Sequence, residues 1–158
     1  VNLERFCIKF LAKEANLGES DEASLIHIFQ DWIRDRALDG VLIDVADYSH
    51  VPEGPGVMLV SHEINYAMDK SEGQIGVYAQ LKINNAYSHK EAILDLVKST
   101  AKFGQLLESD ERIKGKISLE GGKFIYMTND RLRAPNNEET FQTLKPDLEA
   151  AATSLYPG

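Results

Sequence analysis

VMLVSHEINYAM, residues 57–68, is the stretch on which the reading of this chain turns. It is apolar, free of Pro and Gly, and follows the rigid turn Pro52–Gly56, so it reads as a strand long enough to hold a bend or bulge. A regular pleat sends alternate side chains to opposite faces. Met58, Val60, His62, Ile64, Tyr66 and Met68 then share one face, and Val57, Leu59, Ser61, Glu63, Asn65 and Asp69 the other. His62 and Glu63 point apart. His62 and Tyr66 share a face about 13 Å apart at ~3.3 Å per residue, a span suited to opposite ends of a small-molecule pocket.

Working outward, Ile75–Leu81 is a strand that forms an antiparallel pair with it across the polar segment Lys70–Gly73. On the other side, Val41–Tyr48 is a strand with Val41, Ile43 and Val45 on one face and Leu42, Asp44, Ala46 and Tyr48 on the other. Before that, Leu25, Ile28, Phe29, Trp32 and Ile33 recur at helical spacing. Ser20 is placed to cap this helix, Asp21 and Glu22 suit the positive end of its dipole, and Gly40 is placed to end it. Leu3–Ala12 alternates as a first strand, with Phe6, Ile8 and Phe10 opposite Cys7, Lys9 and Leu11.

The second half repeats the order. Ser88 and Glu91 form a capping box ahead of an apolar helical face running from Ile93 to Leu107. Lys116–Glu120 and Lys123–Thr128 flank Gly121-Gly122, a tight-hairpin signal. Asn136 with Glu139 repeats the capping pattern, and Phe141, Leu144, Leu148, Ala151 and Leu155 keep helical phase through Pro146, which predicts one kinked helix or two abutting ones.

The expected fold is therefore α+β: a largely antiparallel sheet from two βαββ units, helices mainly on one face, plus a C-terminal helix. One domain is expected over residues 1–158, with pseudo-repeat halves at 1–69 and 74–130 and the last helix at 136–156. No Pro/Ser-rich linker divides it. A chain of 158 residues can bury roughly two-thirds of its unfolded surface, and 43% hydrophobic with 27% charged residues is a globular composition.

Charge and cysteine content narrow the function classes. The net charge of −8, from 17 basic and 25 acidic side chains, opposes binding to nucleic acid or an anionic membrane. Arg131 with Arg133, and the trio Arg112, Lys114 and Lys116, read as ordinary solvated surface. Cys7 is the single cysteine, which excludes an internal disulfide and paired-Cys metal sites. It reads as a small buried hydrophobe. No apolar run reaches the roughly 20 residues of a membrane span, and no signal peptide is visible, which together point to a cytoplasmic protein.

Candidate chemistry concentrates between Asp44 and Asp69. Histidine titrates near neutral pH and a neighbouring carboxylate can orient it, so His62 with Glu63 or Asp44 is the candidate catalytic set. His50, Tyr66, Tyr48, Gly54 and Gly56 are the candidate ligand-binding residues. The His50/His62/Glu63 spacing lacks the one-helical-turn logic of a metal motif, so no metal site is assigned. Gly54-Pro55-Gly56 leads into a strand rather than a helix and lacks a following Lys-Ser/Thr pair, unlike a phosphate loop. No cofactor motif stands out, and the cofactor stays open. Three readings remain. The first is a binding module for a small molecule or a protein, using the helix-free face of the sheet or a cleft beside Pro52–Gly56; a second copy covering that face would give a homodimer. The second is an acid/base enzyme, a hydrolase or isomerase. The third is a structural subunit without a small-molecule site.

Overall fold

The computed structural model describes residues 5–51, 56–70, 74–84, 88–128 and 136–155. Gly54 and most of the Pro52–Gly56 turn lie outside them, as do Arg131 and Arg133. In chain order the elements are β1 (Cys7–Ala15), α1 (Glu19–Asp35), β2 (Leu42–Tyr48), β3 (Gly56–Ser61), β4 (Ile64–Asp69), β5 (Gly76–Leu81), α2 (His89–Ser109), β6 (Ile117–Leu119), β7 (Ile125–Met127) and α3 (Glu138–Leu155). The seven strands form one antiparallel sheet in the order β2-β3-β4-β5-β1-β6, with β7 also on β1. The α+β class, the antiparallel sheet and the C-terminal helix are as the sequence predicts.

The first strand of the chain sits inside the sheet, between β5 from the second half and the β6/β7 edge. The two halves thus share one sheet. Phe6, Ile8 and Phe10 join Val57, Leu59, Tyr66, Met68, Val77 and Ala79 in a core cluster with Leu25, Ile28 and Phe29 of α1 and Ile93, Leu96 and Phe103 of α2. α1 lies over β2 and β3, α2 over β5, β1 and β6, and α3 packs against α2. Aromatic rings fix the centre of this layer: Phe103 lies 5.0 Å from Tyr66, 5.7 Å from Phe29 and 5.8 Å from Trp32 between ring centroids.

Two segments depart from the sequence expectation. Residues 57–68 are not one strand but the hairpin β3–β4, turning at His62-Glu63. The Ser61 hydroxyl closes this turn, donating to the Ile64 carbonyl and accepting from the Ile64 N–H at 3.0 Å. The turn reverses the pleat phase. Tyr66 lies opposite Leu59 on the helix-covered face, while Met58 and Val60 pair with Ala67 and Asn65 on the helix-free face.

The second departure is at Gly121-Gly122, where no hairpin forms. β6 and β7 both pair antiparallel with β1, at Ala12–Ala15 and Cys7–Lys9 respectively, so they run in the same direction along one edge. The Glu120 N–H still donates to the Leu11 carbonyl at 2.8 Å, and the glycines bulge out between the two short strands.

Helix ends also shift from the expectation. The Gly18 N–H donates to the Asp21 carboxylate at 2.8 Å, so α1 starts before Ser20. It ends at Arg36, which holds a left-handed φ of 52°, ahead of Gly40. At α2 the expected cap forms, with Ser88 Oγ accepting from the Glu91 N–H at 3.2 Å. At α3 the cap is Asn137, one residue after the expected Asn136, accepting from the Thr140 N–H at 2.9 Å. α3 continues through Pro146 as one helix.

Candidate functional site

The predicted site residues do not converge. His62 occupies the β3–β4 turn and is exposed, as is Glu63 beside it. The turn is held by backbone: His62 N–H donates to the Val41 carbonyl at 2.8 Å, and Lys82 N–H to the Glu63 carbonyl at 2.8 Å. Among the described residues the His62 ring makes no hydrogen bond or ion pair. β2 and β3 do pair, as the sequence allows, yet Asp44 lies opposite Val60 rather than His62. Its carboxylate accepts from the Val45 N–H at 2.8 Å.

Tyr66 is 2% exposed in the core, and burial pushes its hydroxyl up to about 12 despite a hydrogen bond with Ser99. The hairpin sends Tyr66 and His62 to different surroundings, one into the core and the other onto an exposed turn. Tyr48 pairs with Gly56 at the far end of the β2–β3 ladder, about 20 Å from the His62 turn at ~3.3 Å per residue. His50 lies two residues beyond Tyr48 and is exposed, and Gly56, the partner of Tyr48, holds a positive φ of 68°. Among the described residues no three His, Cys, Asp or Glu side chains come together as a metal-holding group.

The structure instead gathers polar chemistry on the helix-free face, at β1. Lys9 is buried there and donates to Asp69 at 2.8 Å and to the Gln74 carbonyl at 2.5 Å. Cys7, buried as expected, has its sulfur 3.0 Å from the Tyr78 hydroxyl, and burial raises the thiol above its ordinary range. A second buried polar contact lies on the helix side, where His89 Nε2 is 3.1 Å from the Tyr126 hydroxyl and Phe6 packs edge-on to the ring. Desolvation lowers the tendency of His89 to take a proton. The ion pair and the thiol contact have satisfied partners inside the packing, so they hold the fold.

A groove of about 380 Å³ opens between α2, the end of α3 and the β6/β7 bulge, floored by Phe10, Val97, Ala101 and Leu119 and rimmed by Lys98 and Gln105. Its Glu108 is already engaged, accepting from the Leu119 N–H at 2.9 Å.

The feature that sequence reasoning missed is the edge strand β2. Val41 and Ile43, expected on one face with Val45, are 65% and 55% exposed. The register shifts between Leu42 and Asp44, leaving Ile43 as the extra residue of a bulge, so its side chain leaves the core face. Tyr48 and Val51, at the far end, are 43% and 42% exposed. Among the described residues β2 also has a neighbouring strand on one side only, so alternate backbone N–H and C=O groups face outward without a strand to meet them.

No family model matches the chain, and neither the curated proteins nor the solved structures searched include one similar to it. Among the described residues no helix is long and apolar enough to cross a membrane.

Proposed function

We propose that this protein is a protein-binding module that receives an extended segment of a partner chain along the outer edge of β2. One observation carries the reading. Among the described residues, four of the six large hydrophobic side chains that stand well exposed, Val41, Ile43, Tyr48 and Val51, lie on or beside this single strand. An added strand would satisfy the outward backbone groups and cover those side chains together, which is how strand addition combines affinity with side-chain selection.

The acid/base alternative has less support, since His62 stands on a turn, Tyr66 is in the core, and Asp44 faces Val60. A second copy of this chain is the other occupant the edge admits, and would make the protein a homodimer.

The test is a selection of displayed peptides on the wild-type protein, re-read on the double variant Val41→Lys/Ile43→Lys, with sedimentation of both proteins. Enriched peptides that bind wild type and not the variant, or a dimer that the variant dissociates, support the reading. Peptides that bind both proteins equally, or an absence of both peptides and dimer, overturn it.

A further inference from the structure

The proposed strand-addition edge carries its own charge code, and the inference here rests on that reading. From Ala37 to Asp69 the chain has six carboxylates (Asp39, Asp44, Asp47, Glu53, Glu63 and Asp69) and no Lys or Arg. Two of these acids already have cations: Asp69 is paired with Lys9, and Asp39 lies 4.0 Å from Lys102. Asp44 and Asp47 are exposed on β2 itself, and among the described residues neither has a cation within ion-pair distance. Asp47 accepts from the Ser49 hydroxyl at 2.5 Å and from the Ser49 N–H at 2.9 Å, which together keep its carboxyl below the usual carboxylate range and therefore charged at neutral pH.

We infer that the segment received by β2 is a basic one, with Lys or Arg at two positions three residues apart and apolar side chains flanking them. The spacing follows from the strand. Asp44 and Asp47 are three residues apart, so they project to opposite faces, and an added strand in either direction sets its own residues three apart beside them. Apolar side chains of that segment would lie against Ile43 and Tyr48. A second copy is the poorer occupant, because antiparallel β2–β2 pairing brings four carboxylates onto one seam without a cation. Like charges across a strand pair are destabilising. Acids on an edge strand are also a recognised guard against self-pairing, so the side chains that would turn away a copy are the ones that would select a basic segment.

The experiment uses three labelled peptides of one extended, alternating sequence, carrying Lys, Gln or Glu at the two positions. Their binding to the whole protein is read by fluorescence anisotropy at low and high salt, with sedimentation alongside. Two exposed ion pairs predict that the Lys peptide binds about 3- to 10-fold tighter than the Gln peptide. The Glu peptide should be weakest, and the differences should shrink at high salt. Asp44→Asn/Asp47→Asn should erase the Lys preference, so that the Lys and Gln peptides bind the variant equally. Equal binding of Lys and Gln peptides, both lost in Val41→Lys/Ile43→Lys, overturns the charge code and leaves strand addition standing. So does a dimer that this double variant dissociates. No binding by any peptide and no dimer overturns both.

Discussion

β1 and β2 are both strands of alternating apolar and polar residues, and the sheet treats them in opposite ways. β1 is flanked on both sides, and Phe6 through Phe10 are all buried, a lysine among them. β2 is flanked on one side and leaves a valine and an isoleucine at its start largely in water. Apolarity is similar in the two; position in the strand order decides burial. An inner strand spends its side chains on stability, whereas an edge strand retains side chains and backbone groups that another chain can use.

The sheet's other edge sharpens the contrast. β6 and β7 have three residues each and are separated by the glycine bulge, with α3 packed on the neighbouring α2. Short, interrupted edges resist strand addition. β2 has seven residues in one run, with its single irregularity at Ile43.

The difference between the inner and the edge strand can be broken by substitution, and the largest effect belongs to the inner seam. A Cβ on Gly76 would stand 2.3 Å from the Phe10 carbonyl oxygen, a backbone atom with nowhere to go. Gly76→Ala should therefore part β5 from β1 and cost about 4 kcal/mol or more in urea unfolding, beyond what most single substitutions cost. Next comes the ion pair that joins β1 to β4. Lys9→Ala leaves Asp69, with its side chain only 16% exposed, without its cation, and should cost about 3 kcal/mol by the same measurement.

A smaller, pH-dependent effect is expected where α1 is clasped to the segment leading into β6. Asp21 meets Lys116 at 2.5 Å and also accepts from Gly18, contacts that hold its carboxyl below the ordinary carboxylate value. A depressed folded-state value means that this stabilisation is complete above about pH 4 and is lost as pH falls through the folded value. Asp21→Asn should lower the urea midpoint at pH 7, and its gap to wild type should close toward pH 2. Smallest of all should be Val41→Lys/Ile43→Lys on the edge strand, expected to change stability by less than about 0.5 kcal/mol. That near-silence in stability, beside lost peptide binding, would mark β2 as a surface for partners rather than a support of the fold.

Much of this architecture was legible from residue patterns. The stripe Leu25, Ile28, Phe29 and Trp32 and the cap at Ser88 located their helices, because period and capping chemistry are local. The turn at Ser61-His62-Glu63 was not legible. A two-residue hairpin loop flips the buried phase from Val57 and Leu59 to Tyr66 and Met68, and apolar Met58 and Val60 mask the flip; the polar trio was the one clue. Gly121-Gly122 misled for a different reason. A hairpin needs its two arms to prefer each other, and here both arms found the long flank of β1. The shared face of His62 and Tyr66 was lost with the turn, since it required a continuous strand. The exposure of Val41 and Ile43 depends on strand order and on a bulge, neither of which local periodicity encodes.

Amide hydrogen exchange, resolved to the two edges, tests the central claim most directly. On addition of the Lys-bearing extended peptide, amides within 42–48 should slow by about tenfold or more, as expected of newly formed ladder hydrogen bonds, while amides within 117–127 stay as they were. Unchanged exchange in 42–48 at saturating peptide, or protection that arises along 117–127 instead, would contradict it.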